Sequence, residues 1–434
     1  MEPAVVAIII FSITYIAIAT EKLDKTVIAV IGSLLLILFK VFTLNEAIGY
    51  VSWETIGLLF GMFIIVTALS DSGFFAYLAL LIAKWLNYSP NKIFIFFPLT
   101  TCVLSAFMDS ITVILFFASL TYELCRMLKI DAKSLIITEV VLANIGGSAT
   151  LVGDPPNVIL GLKLGYHFND FVINNGPISI LAGTVALFYC YMVSRKSLVP
   201  EGKISIKELE QMDPGEAIED KRELKIALSA LGTAVFFLIT HTFIERYLHF
   251  SLTIPLATMI PAFIMLLLLK EKTRDVISKV DFKVILFFIG LFVVVGGLEH
   301  TGVINSIASS FTDLFKDNHA GLLSVLIWGP GLASGVIDNV PLALSMAYVL
   351  GNMVKFAGVP ALSIMVWATS LGADIGGNFT PIGASANVVA CASMEKRGYS
   401  IGWGTWLKLA VPATIIALII SNIGIFIKYI TGFY

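Results

Sequence analysis

Charge is scarce in this chain. Of 434 residues only 13% are Asp, Glu, Lys or Arg, while 58% are hydrophobic, and the mean hydropathy is +0.92. A water-soluble chain of that length cannot hide so much apolar surface, so most of it is solvated by lipid. The formal net charge of -2 gives no sign of nucleic-acid binding. Cysteine is also sparse. Cys102, Cys125, Cys190 and Cys391 fall in apolar segments without C-x-x-C spacing, which argues against disulfides and zinc. The first apolar run, Ala4 to Ala19, follows Glu2 and lacks a basic leader or a small-residue cleavage site. It reads as a retained first span and not as a cleaved signal peptide.

Against that apolar background two polar, glycine- and proline-rich stretches stand out, 230 residues apart. One runs NIGGSATLVGDPPNVI from Asn144, the other DIGGNFTPIGASANVV from Asp374. They share Ile145/Ile375, Gly146/Gly376, Gly147/Gly377, Thr150/Thr380, Gly153/Gly383, Asn157/Asn387 and Val158/Val388. Paired interrupted helices at corresponding positions of two halves point to the binding site of a transporter. The repeat extends further. The 29 residues from Val51 align without gaps on those from Val280, an offset of 229 that also sets Asp109 on Asp338 and Ser110 on Asn339.

The two repeats are expected to span 1–194 and 226–434, joined by a charged, solvated, cytoplasmic linker at 195–225. Apolar windows predict first-half spans near 4–20, 26–40, 54–70, 135–161 and 176–194. Second-half spans fall near 226–243, 253–270, 284–300, 361–392 and 405–430. Between the third and fourth span of each half lies a segment broken at its centre by polar residues, 91–129 around Asp109 and 320–356 around Asp338. Each arm of about 17 residues makes roughly 25 Å of helix, short for a bilayer core of about 30 Å. These segments therefore read as re-entrant hairpins with their tips in the membrane.

Five spans per half is odd, so the second half is inverted. With both termini outside, 22 of the 28 Lys and Arg fall on the cytoplasmic side and six on the other. Without the linker the bias is still 15 to six, as the positive-inside rule requires. The expected fold is an all-α membrane protein, an inverted repeat of about ten transmembrane helices with two re-entrant hairpins and two interrupted helices.

Asp109 and Asp338 carry the strongest functional signal. A carboxylate at such depth costs at least about 2.5–3.5 kcal/mol on insertion scales and normally marks an ion path. Each is also a good N-cap for the helix that follows, a purely structural role compatible with the functional one. Ser110, Thr112 and Asn339 accompany them at the tips. In the interrupted helices Gly146, Gly147, Pro155, Pro156, Gly376, Gly377, Pro381 and Gly383 free backbone groups that protein, ion or substrate must satisfy. Paired glycines also allow close helix packing, the bland alternative. Thr150, Asn157, Asn378, Thr380 and Asn387 complete the candidate substrate and ion site. Symmetry fails at two positions, where Asp154 faces Ala384 and Asn144 faces Asp374. No Lys or Arg lies in the interrupted helices or at the tips, so the aspartates are expected to lack a fixed counter-cation. Glu139 lies about a turn before the first break and either lines the route or is a buried structural carboxylate. His300, beside Glu299, and His241 read as structural or interfacial residues.

The motifs NIGGSATLVGDPPN, GADIGGNFTPIGASANVV, AFMDSITVILF and GVIDNVPLALSM resemble the arsenite permease and melanosomal P-protein group of the ion transporter superfamily. That superfamily also holds dicarboxylate and citrate carriers and NhaD-type sodium/proton antiporters. The resemblance covers essentially the whole chain. It implies a central site between hairpin tips and interrupted helices, elevator-type movement and often a homodimer. The family's first tip usually reads Asp-Asn, whereas Asp109 is followed here by Ser110. Dicarboxylate carriers resemble this plan with neutral Ser-Asn-Thr tips. Aspartates would repel such a cargo, since two like unit charges 4 Å apart cost roughly 4 kcal/mol at an effective dielectric of 20.

The leading expectation is a secondary transporter in the cell membrane, not an enzyme, exporting arsenite or antimonite. Its partners are lipid and a small inorganic substrate. No cofactor is expected beyond Na+ or H+ as coupling ion, with sodium expected at Asp109, Asn157, Asp338 and Asn387. Sodium/proton exchange is the main rival, followed by a dicarboxylate or citrate carrier and a passive channel. An intramembrane aspartyl protease also needs two buried aspartates, but Leu151-Val152-Gly153-Asp154 lacks the first glycine of its G-x-G-D signature.

Overall fold

The computed structural model describes residues 2–20, 22–200, 213–248, 251–315, 318–356 and 359–434, and these are helical without any strand. The first half begins with α1 (Pro3–Ala19), α2 (Lys25–Leu38), α3 (Leu44–Tyr50), α4 (Trp53–Asp71) and α5 (Phe74–Trp85). A hairpin follows, α6 (Pro90–Ser105) and α7 (Ser110–Leu128), then an interrupted helix, α8 (Lys133–Gly147) and α9 (Pro155–Leu164). The half closes with α10 (Phe168–Asn174) and α11 (Gly176–Ser194). The second half repeats the order with α12 (Lys221–Leu248), α13 (Ile254–Leu269), α14 (Thr273–Lys279), α15 (Phe282–His300) and α16 (Val303–Leu314). Its hairpin is α17 (His319–Ser334) and α18 (Asn339–Met353). Its interrupted helix is α19 (Leu362–Gly376) and α20 (Ser385–Glu395), and α21 (Trp403–Thr431) ends it.

The breaks form for local reasons. Gly146-Gly147 ends α8, and Pro155 restarts α9 at its first position, where a missing N–H costs nothing and the fixed φ suits a helix. Seven described helices (α4, α7, α11, α12, α13, α15 and α21) are long and apolar enough to cross a membrane. Six of these are expected spans, whereas α7 is the second arm of the first hairpin and at 19 residues is longer than the arm expected from the sequence. The remaining expected spans use shorter pieces: α1, α2 and the two interrupted helices. Large apolar side chains such as Ile16, Phe188, Phe243 and Leu267 face outward, as lipid-facing residues do. The chain is a multi-pass membrane protein.

Several short helices were not expected. α5 and α16 begin inside the aligned blocks, beyond the ends of the spans expected at 54–70 and 284–300. Each follows a glycine with positive φ, Gly73 or Gly302, which turns the chain. Each is two-faced: α16 buries Ile304 and Ala308 while Ser306, Ser309 and Ser310 lie on its outer side.

The helices pack in two groups. In one, α2 packs on α1 and α15, and α4 on α12 and α13. In the other, α6 packs on α8, α17 on α19, and α11 on α21. Between the halves the arms exchange: α7 packs on α20, and α18 on α9. Of the predicted linker, residues 201–212 lie outside the described residues. Its described end is not free in solvent: Glu219 N–H donates to the Ser72 carbonyl at 3.2 Å, and Lys272 pairs with Asp220 and Glu223 at 3.2 and 2.6 Å.

Candidate functional site

Both tip aspartates cap the second arm of their hairpin. Asp109 accepts from the Thr112 N–H at 2.9 Å and the Thr112 hydroxyl at 2.8 Å. Asp338 accepts from the Val340 N–H at 3.1 Å. Each therefore sits at the positive end of a helix, which favours its charge.

The two tips meet at a third carboxylate. Asp154, at the start of α9, accepts from the Ser110 hydroxyl of the first tip at 3.1 Å and from the Asn339 amide of the second at 2.9 Å. All three residues are buried. Ala384, its counterpart in the second break, cannot do this. The asymmetry visible in the sequence thus places one acid where both hairpins converge.

Elsewhere the breaks are symmetric down to single hydrogen bonds. The Asn157 amide donates to the carbonyls of Gly147 and Thr150 at 3.0 and 2.9 Å. The Asn387 amide donates to those of Gly377 and Thr380, both at 2.8 Å. The Thr150 hydroxyl donates to the Ala106 carbonyl, and the Thr380 hydroxyl to the Gly335 carbonyl at 2.6 Å, fixing each break to its hairpin tip. Backbone groups freed by the interruptions are thus answered by protein, as a buried break requires. Remaining acceptors are linked across the halves. Ser370 donates to Asn157 Oδ1 at 2.5 Å, and Asn144 donates to Asn378 Oδ1 and Asn387 Oδ1 at 2.8 and 3.0 Å.

The glycines serve packing as well. A Cβ on Gly146 would lie 2.1 Å from the Cys102 carbonyl oxygen, and one on Gly376 would lie 2.1 Å from that of Gly331. The backbone of each interrupted helix therefore touches its hairpin arm directly. Asp374 is fully buried on the other side of the break. Its carboxylate faces Asp154 and Asn157, and neither oxygen has a hydrogen-bond partner among the described residues.

Two cavities reach the tips. One of about 320 Å³ is walled by Asp109, Thr112 and Pro155, with Asp71, Lys279 and Asp281 also lining it. The second, about 390 Å³, is lined by Lys25, Asp338 and Ser385. Ile111, Asp281 and Val284 line both. Asp71 and Lys279 pair at 2.8 Å at the ends of α4 and α14, so the first cavity reaches that end of the two helices.

One expectation is overturned here. Asp338 has a fixed counter-cation: the Lys25 ammonium lies 2.7 Å from Asp338 Oδ2 and 2.9 Å from the Ser385 hydroxyl. Lys25 opens α2, outside the hairpins and interrupted helices and 313 residues from Asp338. Ser385 and Asp281 were missed too. Ser385 was hidden because its counterpart, Pro155, shares none of its chemistry.

The remaining candidates lie apart from the cavities. Glu139 is fully buried and accepts from the Thr121 hydroxyl at 2.6 Å. His300 bonds Tyr50 at 3.1 Å, and His241 bonds the Leu238 carbonyl at 2.8 Å.

Known proteins share this plan. The fold resembles the Alcanivorax borkumensis YdaH transporter, with a TM-score of 0.59, 13% identity and coverage of 100% of this chain and 99% of that one. A 46 kDa membrane protein of Mycobacterium leprae is 33% identical over 98% of this chain and 99% of its own. An uncharacterized transporter of Mycobacterium tuberculosis gives the same figures. The human P protein is 27% identical over 95% of this chain and 58% of its own length, in line with the group named from the motifs. The profile of the CitMHS citrate transporters matches residues 15–372. With inverted hairpins, interrupted helices and that match over most of its length, the chain belongs to the CitMHS citrate transporter family of membrane transporters.

Proposed function

We propose that the protein is a secondary active transporter that exports an inorganic ion or oxyacid, with arsenite or antimonite as leading substrate and H+ or Na+ as coupling ion. The observation that carries this reading is the convergence on Asp154. One buried carboxylate joins two hairpin tips, and cavities of about 320 and 390 Å³ end at the flanking aspartates. Asp109 and Asp154 take the coupling proton or cation in this scheme, and Asp338 stands paired with Lys25. The hairpins and interrupted helices move as a unit against the group built on α2, α4, α13 and α15, in a homodimer of the cell membrane. The termini are outside and the 195–225 segment is cytoplasmic. The asparagines keep the breaks shaped and leave substrate contact to the tips.

Sodium/proton exchange is the second reading. It is favoured by cavity walls that offer carboxylates but no thiol, since none of the four cysteines lines either cavity. A carboxylate cargo is also repelled less than two bare aspartates would repel it, because Lys25 offsets the charge of Asp338. A panel in proteoliposomes with arsenite, sodium, lithium, citrate and phosphate, at acid and neutral pH, decides among these. Uptake of none of them against a gradient would remove the proposal, and citrate accumulation alone would replace its substrate.

A further inference from the structure

The two hairpin tips look alike in sequence, yet their aspartates live in different company. Asp109 is held by its own helix, through Thr112, and lines a cavity. Asp338 is held by a cation from outside the hairpin. Lys25 sits 2.7 Å from its carboxylate and 2.9 Å from Ser385, and Ser385 lies 3.3 Å from the same carboxylate oxygen, closing a three-membered cluster. The ammonium also lies 5.0 Å from the Phe287 ring centre, which adds to its hold. Lys25 is the first residue of α2, and its repeat counterpart 229 residues on is Ile254, the first residue of α13. Ser385 likewise corresponds to Pro155. The second tip thus has a cation and a hydroxyl whose counterparts by repeat are an isoleucine and a proline; Pro155 lines the cavity of Asp109, and the lysine of that cavity, Lys279, is paired with Asp71 at 2.8 Å. That sequence difference is fixed in the covalent chain, whereas the ion pair joins α2 to the second hairpin and so belongs to the state in which the two groups stand as they do in this structure.

We propose that Lys25 is a resident cation that takes the place of a coupling ion beside Asp338, so that the exchangeable ion is taken at the first tip, beside Asp109, alone. This rests on the reading of the protein as a cation-coupled transporter and refines it. A tethered ammonium 2.7 Å from the carboxylate supplies the charge and donors that a free cation or proton would supply. It is not diluted away when external sodium or pH changes. The other titratable groups around Asp338 are Tyr15 of α1, whose hydroxyl bonds the Pro341 carbonyl, Asp154 at the break, and Asp281, which lines the same cavity. Lys25 is the cation among the groups named, so its removal leaves Asp338 to recruit another.

The test compares wild type with Lys25→Gln, Lys25→Arg and Lys25→Gln/Asp338→Asn. In proteoliposomes, flux against sodium or proton concentration should follow a single-ion curve in wild type. In Lys25→Gln the Hill coefficient should rise from about 1 toward about 2 as Asp338 takes a second ion. Lys25→Arg and the double variant should keep the single-ion curve. If Lys25→Gln carries no flux, thermal unfolding of the purified protein in sodium against choline, and in acid against neutral buffer, reads the same site. Sodium or acid should raise its midpoint more than that of wild type, and the double variant should lose the gain. If Lys25→Gln does not fold, recovery in the double variant supports an uncompensated Asp338, and failure to recover overturns the idea. Responses of Lys25→Gln equal to wild type in both assays also overturn it. Wild-type protein with no ion-driven flux, but with the new stabilisation in Lys25→Gln, would remove the transport reading and leave the assignment of Lys25 standing.

Discussion

The amide of Asn339 lies 2.9 Å from the carboxylate of Asp154, which joins the tip of the second hairpin to the break of the first interrupted helix. Ser110 closes the same junction from the first hairpin at 3.1 Å. The junction is therefore the point at which a change at either tip reaches the other. A hydrogen bond contributes about 0.5–1.5 kcal/mol net, and Asp154 makes one to each hairpin tip. Asp154→Ala should lower initial transport rates on the order of tenfold or more, since about 1.4 kcal/mol is one decade. Asp154→Asn, which keeps one acceptor, should fall between. Initial rates in proteoliposomes check this, and equal rates for all three proteins would refute it.

Asp109 makes its described hydrogen bonds within its own helix turn, so its loss should spare the fold and remove the function. Asp109→Asn still accepts from Thr112 and can cap α7. Coupled flux should disappear and its pH dependence flatten, while the thermal midpoint stays near that of wild type. Persisting pH-dependent flux would show that the first tip is not the coupling site.

The paired glycines should be intolerant for steric reasons, and equally so in both halves. Gly146→Ala and Gly376→Ala each force a methyl to 2.1 Å from a carbonyl oxygen, and overpacking of this kind costs about 1–3 kcal/mol or more. Gly232→Ala is the control: nothing lies within 4 Å of its Cβ position, and alanine is favoured over glycine in a helix by roughly 1 kcal/mol. Thermal unfolding of the three variants should rank the first two well below wild type and Gly232→Ala at or above it.

Asp24 caps α2 immediately before Lys25, accepting from the N–H groups of Thr26 and Val27 at 2.9 and 3.3 Å. Those bonds hold its carboxyl below the ordinary value of 3.8. A lowered folded value means that its stabilisation is complete above the ordinary value and is lost as pH falls through the folded one. Asp24→Ala should therefore melt below wild type at neutral pH. The gap should narrow only in acid, below about pH 4. Melting curves across that range check the sign.

How much could be read in advance follows the chemistry of repetition. Asp109, Asp338 and both breaks were visible because polar and glycine-rich residues contrast with apolar surroundings and occur twice. Asp154 stood out because its counterpart is Ala384. Lys25 was invisible for the opposite reasons. It lies at a span end, where a basic residue is ordinary, and its partner is brought to it only where the start of α2 meets the tip of the second hairpin. The asparagines were expected at the substrate. Their amides instead hold carbonyls seven and ten residues earlier in the chain, a local closure that a linear motif does not display. The short helices α5 and α16 escaped notice because the gapless alignment of the two copies runs on into both of them.

The exchange of arms between the halves has a consequence for how the protein is put together. Because α7 lies against α20 and α18 against α9, each half-helix beyond a break is shelved on a hairpin belonging to the other copy. Neither copy carries a finished vestibule of its own. Insertion of the first half into the bilayer leaves α9 waiting for a neighbour that enters some 175 residues later. Two halves supplied as separate chains should thus regain activity only when made together, as interlocking pieces of one machine.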